Sequence, residues 1–363
     1  MRLRQKCIVS MGLICVIGGL LCAMPVVAEE LRILVTQGST TEQTIAEFEQ
    51  MIQQKYQIEL KLIVENWADP GEVYKALRNK TADIISCPHN FPKDPDFKLI
   101  AGKLTLPLDL QNIPNLANVI PAMQEADYIT EGGQAYGVAY AYSPYGLAYN
   151  SALFSEPPTS WNVLWDPQYA GQYVLTSTMY ELNILITELA LGADRSQVGQ
   201  LERAKTPEFQ EKLRALAQNA GAFWTLTDTA DDLQGKTLAA AWGYSFQELR
   251  NRGEEWRFAQ PVEGVPSGIG VLMLGHSLRA NPTLKKIAEE WLNYVISPDY
   301  QSNVILGAYF PVNLAIKDRF DPDTVAYYHL DDPNYAQEQM IPWPMLDKRT
   351  RTAFELFWNK ATR

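Results

Sequence analysis

The stretch from Tyr136 to Thr178 constrains this chain more than any other. It reads YGVAYAYSPYGLAYN, then a short loop, then PTSWNVLWDPQYAGQYVLTST. Residues 136–142 and 145–150 alternate small and aromatic side chains, which predicts two strands. Ser143-Pro144 breaks the run between them. Ser160 is placed to cap a short helix carrying Trp161, Leu164 and Trp165 on one face. Pro167 stops that helix, Gly171 turns the chain, and Tyr173–Thr176 predicts a buried strand. Ser177-Thr178 follow as polar residues where the next helix would begin.

The segment before this one has a different rhythm. LRILVT (31–36) predicts a strand, and Thr40 or Thr41 can cap a helix with Ile45, Phe48, Met51 and Ile52 on its apolar face. A second strand is expected over 58–64, a helix over 72–80 and a third strand over 82–86. This β-α-β-α-β order implies a parallel sheet covered by helices. Ligands of such sheets collect at the carboxyl ends of the strands. Two loops qualify: Thr36–Thr40 after the first strand, with Gln37 and Ser39, and Pro88-His89-Asn90 after the third. Further on, helices are expected over 179–191, 206–221, 282–295 and 350–360, and strands over Leu238–Trp242 and Gly268–Met273.

The first 28 residues stand apart. Arg2, Arg4 and Lys6 precede an almost unbroken apolar run from Ile8 to Val27, and Val26-Val27-Ala28 offers small residues before Glu29. This pattern predicts a cleaved secretory signal over 1–28 and an exported, periplasmic protein. Lipidation at Cys22 is disfavoured, because bulky Leu21 precedes it. Three of the four cysteines leave with such a signal. Cys87 alone remains, so it is expected as a buried, apolar thiol and not as half of an internal disulfide. Losing three positive charges takes the net charge from −11 to −14. That disfavours nucleic acid and anionic membranes as partners. With 363 residues, 47% of them hydrophobic, the chain can bury two sizeable cores.

No catalytic constellation is visible. The three histidines, His89, His276 and His329, show no metal-ligand spacing. Neither a phosphate-cradling loop nor a nucleophile elbow occurs. Cys87 and His89 are too close in sequence at a strand end to face each other, and no third group orients them. An enzyme is therefore not expected, and no cofactor is implied.

The order of parts in 136–178, and "SWNVLWDPQYAG" in particular, resembles the spermidine/putrescine-binding group of periplasmic solute-binding proteins. The resemblance extends over essentially all of the chain after residue 28. It implies a two-lobed α/β fold of the type II periplasmic binding class, with hinge strands between the lobes. One lobe is expected from 29–141 plus 272–316, the other from 142–271 plus 317–363. The implied function is capture of a small polar ligand between the lobes and its delivery to an ABC permease, with a membrane sensor as the alternative partner. A monomer is expected. In that family aromatic rings sandwich the ligand and carboxylates hold its ammonium groups. By resemblance, Trp242 and Tyr309 correspond to pocket aromatics and Glu181 to a pocket acid, while Thr178 stands where the family has another acid. Val271-Leu272-Met273 replaces an acid-bearing strand segment. Tyr142 and Tyr145, in the crossing ribbon, complete the expected binding set. The missing acids imply a scaffold that is kept and a ligand that differs from a simple polyamine.

Overall fold

The computed structural model describes residues 27–306 and 308–363. The expected signal lies almost wholly outside them. The first β-α-β-α-β unit forms as the sequence predicts. β1 (Val27–Val35) starts earlier than expected and pairs in parallel with β2 (Ile58–Asn66) and β3 (Ile84–Pro88). Between them, α1 (Glu42–Tyr56) opens with a capping box in which Thr41 and Thr44 satisfy each other's backbone N–H. α2 (Pro70–Asn79) is capped by Asp69, with Pro70 at its first position.

The tyrosine-rich ribbon then splits between two sheets. β4 (Gly137–Pro144) joins the first sheet, and β5 (Gly146–Asn150), separated from it by Tyr145, joins the second. The second sheet is filled by β6 (Tyr173–Thr176), α3 (Tyr180–Ala190), α4 (Pro207–Gln218) and β7 (Ala222–Trp224). They are followed by β8 (Leu238–Ala241), α5 (Phe246–Asn251) and β9 (Trp256–Phe258). Its strand order is β7-β6-β8-β5-β9. β10 (Val265–Gly275) returns to the first sheet, which α6 (Pro282–Val295) covers. After α6, a turn of π-helix over Gln301–Ile305 leads to β11 (Phe310–Pro311), α7 (Pro322–Tyr327), β12 (Met340–Pro342) and the terminal α8 (Lys348–Ala361). The main path of the first sheet is β11-β4-β10-β3-β1-β2, with β12 paired to the start of β10.

Each sheet has its own core. Phe48, Leu77, Ile85, Leu272 and Trp291 are buried in the first; Trp161, Leu185, Phe209, Trp224 and Phe354 in the second. The crossing points differ from the expected boundaries. Tyr142, Ile269 and Val271 belong to the first core, as do Tyr335, Ala336 and Met340. The second core resumes at Ile341 and Leu346. The chain therefore passes between cores at Pro144–Tyr145, early in β10, and at 340–341 instead of near 316. The reason lies in α7 and the loop after it. Tyr328 donates to the Leu306 carbonyl (3.1 Å) and its own carbonyl accepts from Tyr142 (3.2 Å), which ties that insert to the first sheet.

One acid in the second core is incompletely satisfied. Glu188, fully buried on α3, accepts the Gly199 N–H at 2.6 Å through Oε2, while its Oε1 has no partner among the described residues. Burial pushes its pKa up to about 7. A raised carboxylate stabilises the fold below its unfolded pKa and loses that contribution as pH climbs towards 7. Glu188→Gln, which keeps the shape and removes the charge, should raise unfolding stability at pH 8 by about 2 kcal/mol. Denaturant titration at pH 5 should show almost no gain; an equal gain at both pH values would mean the charge is not what costs stability.

Candidate functional site

Where the two cores meet, aromatic and hydroxyl groups from both converge. The first core contributes Tyr140, whose hydroxyl donates to Thr36 Oγ1 at 3.3 Å. Thr36 in turn shares Ser86 Oγ (3.0 Å) with the Trp67 indole N–H (3.2 Å). These groups sit at the carboxyl ends of β1 and β3, where a parallel sheet leaves its strand ends open. Tyr140 reaches them through a β-bulge. In the pairing of β10 with β4, Gly270 faces Ala141 and Val271 faces Ala139, so Tyr140 is the extra residue. Its carbonyl is satisfied by buried Gln301 at 2.9 Å. Its ring lies over Gly270, where a Cβ would come within 2.8 Å of Tyr140 Cε1. Glycine is required there for the close approach.

The second core contributes Trp242 and Tyr244 on the turn after β8. Trp242 packs edge-on against Tyr145, with ring centres 5.5 Å apart. Tyr244 is 43% exposed, yet its hydroxyl turns inward to Ser143 Oγ at 3.3 Å. Its ring meets that of Tyr309, which follows the π-helical turn, edge-to-face at 6.4 Å. Tyr309 donates to the Gln37 carbonyl at 2.6 Å. The turn is held from behind by Asp228, which is buried. One carboxylate oxygen accepts the Trp242 and Gly243 N–H groups (2.8 and 3.2 Å). The other accepts the Ser245 N–H and hydroxyl (3.2 and 2.7 Å).

From this aromatic corner a cavity of about 790 Å³ runs outward between α5 and β9 on one side and β11 and α7 on the other. That volume lies in the range of small-molecule sites. Phe246, Phe258 and Tyr327 supply apolar wall, and Arg250, Asp323 and Gln260 supply polar groups.

Of the residues expected from sequence, Trp242 and Tyr309 line this cavity. Glu181 stands away from it, in the first turn of α3. Burial raises the pKa of its carboxyl group, its own backbone N–H and Arg351 act against that rise, and no other side chain donates to it among the described residues. Thr178 is exposed, and its hydroxyl accepts the Leu226 N–H (3.2 Å). Gln37 is exposed and Asn90 half-buried at the two expected strand ends.

The other expectations need correction. His89 is buried and has spent both nitrogens. Nδ1 accepts the Ile269 N–H (3.2 Å), so Nε2 carries the proton and donates it to the Trp343 carbonyl (3.0 Å). Burial lowers its pKa to about 4, so the ring is neutral. It ties β3 to β10 and to the chain after β12, and has no atom left for a ligand. Ser39 is buried, with its hydroxyl on the Thr36 carbonyl (2.6 Å). Tyr142 belongs to the first core. Tyr145 belongs to the second, where it donates to Asn183 Oδ1 at 2.7 Å. Met273 is a core residue with its sulfur 3.9 Å from Cys87 Sγ, and that thiol is buried and held protonated. The groups that sequence reasoning missed are Trp67, Ser86, Tyr140, Asp228 and Tyr244; Thr36 lies in the loop expected after the first strand. For Tyr140 the available signal was the lone glycine pair Gly268 and Gly270 opposite the ribbon.

Two sheet-centred cores, strands crossing between them and an aromatic-walled gap at the crossing define a two-lobed solute-binding protein. The sequence pattern of the bacterial extracellular solute-binding proteins matches residues 79–347, well over half of the chain, and the chain belongs to that family. It is similar to the spermidine/putrescine-binding periplasmic protein of Salmonella typhimurium, at 24% identity over 60% of each chain. The matched stretch thus spans less than two thirds of that relative. In fold it is similar to the spermidine/putrescine ABC transporter substrate-binding protein PotD from Streptococcus pneumoniae, solved with calcium and HEPES. The TM-score is 0.73 at 16% identity, covering 92% of this chain and 98% of that one. An ABC transporter protein from Clostridium perfringens superposes with a TM-score of 0.67 at 16% identity, covering 92% and 100%. Among the described residues no helix is long and apolar enough to cross a membrane. No group of three or more His, Cys, Asp or Glu able to hold a metal ion is found among them.

Proposed function

We propose that this protein captures a small polar solute carrying an ammonium group in the periplasm and hands it to an ABC permease. The observation that carries the reading is the corner formed by Trp242 and Tyr244 from one core and Tyr309 from the other. Rings from both halves can close on one solute, and a ligand that touches both favours the closed form over the open one. The crossing strands and the 340–341 passage would serve as the hinge. An ammonium or alkylammonium group suits aromatic faces. Glu181, half-buried at the start of α3 and outside the cavity, is the acid that the resemblance to the spermidine/putrescine-binding group assigns to the solute's ammonium group. The spermidine/putrescine-binding relatives support the amine chemistry. The absence of acids at Thr178 and Met273 argues for fewer ammonium groups than a linear triamine carries.

A thermal-shift and calorimetric screen with putrescine, spermidine, γ-aminobutyrate, neutral amino acids and sugars tests the reading. At least one amine-bearing solute should raise the melting temperature. Glu181→Gln should then weaken that solute about 10- to 100-fold, as loss of a partly desolvated charge contact does. A neutral solute should be insensitive to the same change. If no solute shifts the transition, or if Glu181→Gln leaves the binding solute unaffected, the proposal is wrong.

A further inference from the structure

Arg351 joins the two halves of the molecule directly. It sits on α8, whose Phe354, Trp358 and Ala361 lie in the second core. Its Nη1 is 3.2 Å from Asp94 Oδ2 and its Nη2 is 2.9 Å from Asp96 Oδ2. Both acids are in the loop after β3, between Phe91 and Leu99 of the first core. The side chain of Asp94 is 4% exposed, and its Oδ1 accepts the Asp96 N–H at 2.8 Å. The loop is thus shaped to present two carboxylates to one guanidinium. A planar fork gripping two carboxylates constrains direction as well as charge. One guanidinium from the second core thus holds two acids of the first.

We infer that Arg351 is a strap between the two halves of the molecule. It holds the lobes together before a solute arrives, whatever that solute is. The physical ground is that an ion pair made in the closed arrangement alone shifts the population towards closure without any ligand.

Two variants and one solvent condition test the strap. Small-angle scattering on the unliganded protein should show a larger radius of gyration for Arg351→Gln and for Asp96→Asn. It should show the same for the unsubstituted protein when salt rises from about 50 to about 500 mM, since the pair is partly exposed. An unchanged radius in both variants overturns the strap.

Discussion

Asp228→Ala should unfold the protein more readily by about 3–5 kcal/mol and abolish solute binding. The carboxylate takes four hydrogen bonds from the turn that carries Trp242 and Tyr244, three of them from backbone N–H groups. Truncation leaves those donors buried with no acceptor, at about 1–3 kcal/mol each before relaxation. The turn would relax to find water, and in doing so would pull Trp242 off Tyr145. Asp228→Asn keeps one acceptor oxygen and turns an amide towards donors on the other side, so about half the loss is expected. Urea denaturation with calorimetry of the bound solute reads both effects. Full binding in Asp228→Ala would mean that the turn is held by packing and not by this acid.

The second large effect is acid destabilisation through His89. Its pKa is about 4 in the fold, because burial disfavours the charged ring more than its two backbone partners favour it, against about 6.5 in the unfolded chain. Above pH 6.5 both states hold the neutral ring and the stabilisation is complete. Between 6.5 and 4 the unfolded chain takes up a proton that the folded one refuses, so stability falls as pH falls. The full loss is about 3 kcal/mol. His329, stacked on Tyr335 and also held near pH 4, pushes in the same direction. Glu188 pushes in the opposite one. His89→Gln retains an acceptor and a donor without a titrating proton. It should therefore flatten the pH dependence between 4 and 6.5 by about one proton. A slope identical to that of the unsubstituted protein would remove His89 as its source.

Local signals were well expressed in this sequence. A capping threonine and apolar periodicity announced α1; α6 and α8 form close to the expected 282–295 and 350–360, and the three parallel strands followed from the β-α-β-α-β order. Ser160 caps a short helix as expected, although the turn is 3₁₀ over Trp161–Trp165. β1 and β10 are longer than their apolar runs, because pairing with neighbours extends a strand beyond what its own residues demand. The site was less legible. Five tyrosines in the ribbon, 136 to 149, carry the same pattern, and a period of two assigns them to faces without saying which face is the gap. The bulge opposite Gly270 interrupts that period and turns Tyr140 to the strand ends, while Tyr142 and Tyr145 stay in separate cores.

The sequence by itself determined that the chain is built on α/β sheets, that aromatic rings and few histidines populate it, and that its strand ends offer hydroxyl and amide groups. These follow from side-chain chemistry and from periodicity, which act over neighbouring residues. Tertiary structure alone decided that His89 is a tie between segments, that Asp228 carries the aromatic turn, and that residues 317–340 side with the first core. It also decided that Arg351, on a helix of the second core, meets Asp94 and Asp96 in a loop of the first. Each of these depends on partners far apart along the chain, whose meeting is set by sheet order and packing, and no local pattern encodes that distance.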